Sequence, residues 1–250
     1  MRMQTVHLIF KTHLDIGYTD FSANVVRQYF LDFIPRALQT ARALRERGGP
    51  ERFRWTTGSW LIYEYLEAAA PAQRAEMEAA IQAGDILWHA LPFTTHTELM
   101  QPALFNFGLS LARKLDQRFG RTTTAAKMSD VPGHTRGIVP LLAAAGVRFL
   151  HVGVNDGSTM PELPPVFRWK GPGGLEIVVM YEQGYGHATR APGLDHALAF
   201  GHTIDNVGPQ TPEEVQQVWA QTQAQFPGAR VIASSLDDFA DALLPLRESL

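Results

Sequence analysis

The sequence predicts an α/β fold, a seven-stranded (β/α) barrel. Short apolar runs rich in β-branched or aromatic residues alternate with longer segments of helical period, the pattern of βα units around a parallel sheet. Seven strand-like runs in this alternation fit a closed or nearly closed barrel better than an open sheet. With 250 residues, 45% hydrophobic and 19% charged, the chain can bury one sizeable core, so residues 1–250 read as a single domain.

The first strand is "TVHLIF", Thr5 to Phe10. From Ser22 an amphipathic segment places Val25, Val26, Tyr29, Phe30 and Phe33 on one face, then Leu38, Ala41 and Leu44 beyond Pro35. This is one helix capped by Ser22, kinked or broken at the proline, and stopped by Gly48-Gly49-Pro50. "RFRWTT" is a second strand, "PAQRAEMEAAIQAG" a helix opened by proline and closed by glycine, and "DILWHA" a third strand. "LFNFGLSLARKLDQRFG" and "IVPLLAAAG" are helices that bracket a fourth strand, "TTAAKM". "RFLHVGV" and "EIVVMY" follow as the fifth and sixth strands. The helix "PEEVQQVWAQTQAQFPG" and a seventh strand, "RVIASS", lead into the last helical segment. Gly153 to Gly174 and Gln183 to Gln210 read as irregular loops, longer than ordinary connections and therefore candidates for function. The chain stops abruptly at "PLRESL", the expected look of an amino-terminal fragment of a longer protein.

Composition excludes several classes. There is no cysteine, so disulfide scaffolds and thiolate zinc sites are ruled out, and any metal must be held by nitrogen and oxygen. A net charge of −3, with basic residues spread along the chain, leaves no footprint for nucleic acid or an anionic membrane. The start is too short in apolar residues for a signal peptide, and no run of about 18 apolar residues occurs, so the chain reads as cytoplasmic.

In an α/β barrel the functional side chains stand where strands end and loops begin. His13 and Asp15 follow the first strand with one residue between them, so in extended geometry both project to one side and can share a cation. "KMSDVPGHT" ends the fourth strand with Asp130 ahead of a Pro-Gly turn and His134. One imidazole and two carboxylates suit zinc or a related divalent cation, with positions left for another ligand or substrate. His89, Asn155, Asp156, Glu182, Asp205 and Asn206 stand at other strand ends or in the last long loop. Each has a plainer reading: Asp130 can cap the next helix, and His13 can bridge loops. His134 fits a turn, Asp237 and Asp238 the cap of the terminal helix, Glu76 and Glu78 a solvated face, and Trp55, Trp60 and Trp88 the core.

"HLDIGY" followed by "SDVPGHT" resembles the motif pair of the amino-terminal catalytic domain of glycoside hydrolase family 38, the retaining, zinc-dependent α-mannosidases. The first motif has His-x-Asp with a Gly-aromatic pair, the second an Asp followed after two residues by Gly-His. The resemblance implies His13 and Asp15 as zinc ligands, Tyr18 as a platform under the sugar ring, and Asp130 as both ligand and nucleophile. "GHTIDNVGP" lies about where the family carries its acid/base, which makes Asp205 the candidate. Leu14, Ile16, Tyr18 and Val131-Pro132 depart from the usual motifs, as do Phe93 and Thr94 at a place where an acid is expected, so the branch is divergent. The family's fourth zinc ligand is a histidine beyond Leu250, which implies that the carboxyl-terminal remainder of the chain completes the site.

The implied chemistry is retaining hydrolysis of a carbohydrate, in which Asp130 attacks the anomeric carbon while Asp205 protonates the leaving oxygen and later activates water. Asp156 and Glu182 are reserve candidates for the acid/base. Two other functions use the same residues: a metal-dependent hydrolase resembling polysaccharide deacetylases, in which a bound water is the nucleophile, and a carbohydrate-binding barrel without catalysis.

Overall fold

The computed structural model describes residues 3–250. All seven strands expected from the sequence are present: β1 (Thr5–Thr12), β2 (Trp55–Gly58), β3 (Ile86–His89), β4 (Ala125–Asp130), β5 (Phe149–Val154), β7 (Glu176–Gln183) and β10 (Arg230–Ala233). Three more lie inside the two segments read as loops: β6 (Val166–Lys170), β8 (Thr189–Arg190) and β9 (His196–Thr203). β6 and β8 are antiparallel additions to β7 and β9, whereas β9 pairs in parallel with β1 over all eight of its residues.

The strands do not close into a single hydrogen-bonded barrel. One sheet runs β3-β2-β1-β9-β8, with β10 also on β1, and the other runs β4-β5-β7-β6. β1 is flanked by β10 along Thr5–Leu8 and touches β2 only at Phe10 and Trp55. β3 and β4 approach at the junction of the sheets, where Ala90 N–H donates to the Ala125 carbonyl at 2.9 Å. The seven-stranded barrel is therefore corrected to two parallel-rich sheets, because short β2 and β3 leave no second ladder to stitch the edges.

Eight α-helices cover the outer faces: α1 (Ser22–Gln28), α2 (Ile34–Arg47), α3 (Ser59–Ala68), α4 (Pro71–Gln82), α5 (Pro102–Phe119), α6 (Ile138–Ala144), α7 (Pro212–Gln225) and α8 (Leu236–Leu243). A π-helical turn, Tyr29–Phe33, joins α1 to α2 just before Pro35. Proline offers no N–H and crowds the carbonyl four residues back, and a widened turn there absorbs both defects without ending the helix. Ser22 does not cap α1; Phe21 holds that position, while Asp20 Oδ1 accepts the Phe21 N–H at 2.6 Å. At α8 the cap is Ser235, paired reciprocally with Asp238, and Asp237 instead accepts the N–H groups of Thr124 and Ala125. Among the described residues no helix is long and apolar enough to cross a membrane.

Strand alternation sorts the two faces. On β1, Val6, Leu8 and Phe10 join the core under the helices, while His7, Ile9 and Lys11, and His13 just past the strand end, turn inward between the sheets. β4 and β5 do the same, burying Ala126, Met128, Leu150 and Val152 outward and directing Lys127, Ser129 and His151 inward. Toward the strand amino ends Ile9, Phe149, Leu198 and Phe239 pack together in the inward layer, with one polar group among them, His7, bonded to Ser234 and His196. The layer becomes more polar toward the carboxyl ends, which is where the site lies.

Candidate active site

Among the described residues the only two non-glycine residues with positive φ are Asp130, at 75°, and Asn206, at 52°. Asp and Asn tolerate this left-handed conformation better than other side chains, and such backbone persists only where the surroundings enforce it. Asn155 enforces it at Asp130: its N–H donates to the Asp130 carbonyl and its Nδ2 to Asp130 Oδ1, both at 2.9 Å. Asn206 lies in the turn after β9, where its N–H donates to the His13 carbonyl at 3.0 Å. Its carboxamide bonds both main-chain groups of Asp15 and the hydroxyl of Thr19. The two strained turns thus hold the ends of β4 and β1.

His13, Asp15 and Asp205 come together, each offering one donor atom within 4.8 Å of the others. Burial, reinforced by the charge of Lys11, lowers the His13 pKa to about 3, so its imidazole is neutral. His13 Nε2 lies 3.7 Å from Asp205 Oδ1, too far for a hydrogen bond, and a neutral imidazole makes no ion pair. Two lone-pair atoms that face each other across such a gap, with Asp15 beside them, form a donor set that a divalent cation fits. His13 Nδ1 is fixed by the Ser129 hydroxyl at 3.0 Å, the outer partner that orients a ligating imidazole. Burial, then the charges of Asp205 and Asp130, pushes the Asp15 carboxyl upward from its ordinary value.

Asp130 is near this cluster but is turned toward Asn155 and Tyr185, and among the described residues its Oδ2 accepts no hydrogen bond. The Tyr185 hydroxyl stands 3.0 Å from Asp130 Oδ1 and 3.3 Å from Asp205 Oδ1, and its ring stacks on His13 at 4.5 Å. Burial and these two carboxylates hold the phenol well above its usual pKa, so it stays protonated. A phenol has one proton and cannot donate to both acids at once.

Two clefts open here. One, of about 330 Å³, is lined by His13, Asp15, Phe93, His96 and Asp130, and the other, of about 300 Å³, by Asn155, Asp156, Tyr185, His202 and Asp205. Tyr18, on the loop after β1, is 74% exposed and free to meet a ligand. Glu182 is withdrawn from this surface, with Oε1 bonded to His151 and Oε2 to Thr189. Asp156 is exposed at the rim of the second cleft. His134 bonds Thr97 at 3.3 Å, as a turn residue would. Sequence reasoning missed Tyr185 and Lys127. The "GYG" around the tyrosine was a signal, since two glycines flanking one aromatic residue mark a tight loop that presents it.

The model for the glycosyl hydrolases family 38 N-terminal domain matches residues 3–241. Among solved structures, an alpha-mannosidase from Enterococcus faecalis V583 superposes with a TM-score of 0.76 and 14% identity, over 97% of this chain and 29% of that one. A protein in glycosyl hydrolase family 38 from Enterococcus faecalis gives 0.65 and 13%, over 98% of this chain and 28% of that one. A 4-alpha-glucanotransferase from Thermococcus litoralis gives 0.57 and 14%, over 97% and 38%. At these identities the likeness is one of fold, and the chain spans less than a third of the length of the first two. No curated protein matches the sequence.

Proposed function

The chain belongs to glycosyl hydrolase family 38 through its N-terminal domain, and from that premise we propose that it forms the catalytic face of a retaining, zinc-dependent, α-mannosidase-like glycosidase. The observation that carries this reading is the Tyr185 hydroxyl shared by Asp130 and Asp205. One hydroxyl reaches both acids only if they are close, and a retaining pair works at about 5 Å whereas an inverting pair stands roughly 6.5–9.5 Å apart. Asp130, held by the Asn155 amide, is the nucleophile in this reading, and Asp205 the acid/base for the departing oxygen.

His13 and Asp15 would hold the metal together with one carboxylate oxygen from this pair. When bound, zinc supplies Lewis acidity toward the sugar hydroxyls and a fixed template for the ring. Tyr18 offers an apolar face to the sugar's C–H surface. In the first step the Asp130 carboxylate attacks the anomeric carbon as Asp205 passes its proton to the leaving oxygen. In the second, Asp205 takes a proton from water, which releases the sugar from Asp130. Glu182 is unsuited to the acid role because both its oxygens are bonded in a buried network.

The test is cleavage of aryl α-mannosides by the full-length protein and by Asp130→Asn and Asp205→Asn. Loss of about 10³-fold or more in kcat is expected from each, with azide restoring turnover to the second. Full activity in either variant rejects the assignment. Metal content of Asp130→Ala and Asp205→Ala names the third ligand, since zinc is lost from the variant that lacks it.

A further inference from the structure

Below the carboxylates, three ionisable side chains that the proposed reaction leaves unused form a continuous buried chain. Lys127 Nζ stands 2.8 Å from His151 Nδ1 and donates at 2.6 Å to the Tyr185 carbonyl. His151 Nε2 lies 2.6 Å from Glu182 Oε1, and Glu182 Oε2 accepts from the Thr189 hydroxyl at 2.6 Å and the His187 N–H at 3.1 Å. None of the three is more than 8% exposed. Burial pushes the Lys127 pKa well below its ordinary value, against the charge of Glu182; with Lys127 protonated, a single pattern satisfies every contact. An ammonium has no lone pair, so His151 Nδ1 accepts from Lys127, Nε2 carries the ring proton, and that proton is donated to a Glu182 carboxylate. The charges of Lys127 and Glu182 then balance through a neutral imidazole, and the Phe200 ring lies 4.2 Å from the ammonium.

A buried ion pair seldom stabilises a fold better than apolar residues of the same volume, so stability alone gives little reason for this one. The single group that Lys127 holds outside the chain is the main-chain carbonyl of Tyr185. That residue sits between Gly184 and Gly186, both in left-handed backbone at +67° and +144°. The loop rests on Gly153 of β5, where any Cβ would fall within 2.8 Å of the Gly184 oxygen and the Tyr185 carbonyl carbon. The missing side chain at Gly153 is what lets the loop settle close enough for Lys127 to reach it.

We propose that Lys127, backed by His151 and Glu182, is a positioning residue that fixes Tyr185 from below and thereby holds Asp130, Asp205 and His13 in register. Lys127 touches no substrate; it acts through a main-chain oxygen two bonds from the Cα that carries the phenol. The inference rests on the reading of Asp130 and Asp205 as the reactive pair.

The test labels the chain with 3-fluorotyrosine and follows the six tyrosines by fluorine NMR without added metal, the Tyr185 signal being assigned with Tyr185→Phe. Lys127→Met and Glu182→Gln are expected to shift or broaden that signal while the other five stay in place. An unmoved Tyr185 signal in both variants overturns the inference. If Lys127→Met disperses all six signals it has unfolded, and Glu182→Gln, which keeps the volume, decides. Cobalt(II) binding, read from its visible bands, separates this inference from the reading beneath it. No cobalt in the unsubstituted protein rejects the metal site while the Tyr185 shift stands. Binding by the unsubstituted protein with about tenfold or greater weakening in both variants is expected for an outer-shell support, and equal binding overturns the positioning role.

Discussion

Asn206 grips Asp15 by both of its main-chain polar groups: its Oδ1 accepts the Asp15 N–H at 3.1 Å and its Nδ2 donates to the Asp15 carbonyl at 2.6 Å. The side chain thereby extends the ladder of β1 past the end of β9, so Asp15, the proposed ligand, gains the fixity of a strand although it lies on a loop. Asn206→Ala removes both bonds and places alanine at a φ of 52°. We expect a loss of about 3 kcal/mol or more in urea unfolding, from these two hydrogen bonds, the one to the Thr19 hydroxyl and a left-handed alanine. Zinc affinity falls with it, because Asp15 is released.

The proposed zinc site predicts that zinc stabilises the fold by mass action. At a free concentration 100-fold above Kd the gain is about 2.7 kcal/mol, which for a domain of this size raises Tm by roughly 5–10 °C. Chelation reverses the shift, and Asp15→Ala abolishes it with little change in the metal-free Tm. A metal-independent melting curve in the unsubstituted protein would refute the ligand set.

Stability falls as the solution is acidified. Burial, with the neighbouring charges of His196 at His7 and Lys127 at His151, lowers both imidazole pKa values from about 6.5 to about 4. In the unfolded chain these rings take up protons near pH 6.5, but in the folded protein only near pH 4. Between those values the unfolded state binds more protons, so the contribution is fully present above pH 6.5 and is lost as pH falls toward 4. These two groups alone give a slope of up to about 3 kcal/mol per pH unit, to which the other buried imidazoles add, measurable as a falling urea midpoint from pH 7 to pH 5. A flat midpoint over that range contradicts neutral burial.

Gly153→Ala tests the seat of the Tyr185 loop. A Cβ there meets main-chain atoms that cannot rotate away, so we expect about 2 kcal/mol of destabilisation and displacement of the tyrosine. Substrate affinity is expected to change less than kcat, since the hydroxyl serves the carboxylates.

The sequence made the strands with dense β-branched cores legible and hid the one that matters most to β1. β9 reads "HALAFGHT", with alanine, glycine and histidine where valine or isoleucine would signal a strand. The reason is steric: a Cβ on Gly201 would lie 2.5 Å from the Phe10 ring, so the position must stay bare for the two strands to pair. His13, Asp15 and Asp130 were visible as strand-end polar residues in recognisable spacing, and the structure groups the first two with Asp205. Tyr185 and Lys127 were not, because one acts from a glycine-bounded loop and the other looks like an ordinary lysine until its burial is known. Barrel closure was over-read, since a count of strands does not reveal how short β2 and β3 are.

The burial of Lys127 also shapes how the protein meets amine-reactive chemistry. The chain has only four lysines, and two of them, Lys11 and Lys127, are enclosed between the sheets while Lys114 and Lys170 lie on the surface. An acylating reagent therefore modifies the outer pair quickly and reaches the inner pair only when the sheets part. The ratio of inner to outer labelling, read by mass spectrometry, becomes a clock for opening motions that needs no engineered probe.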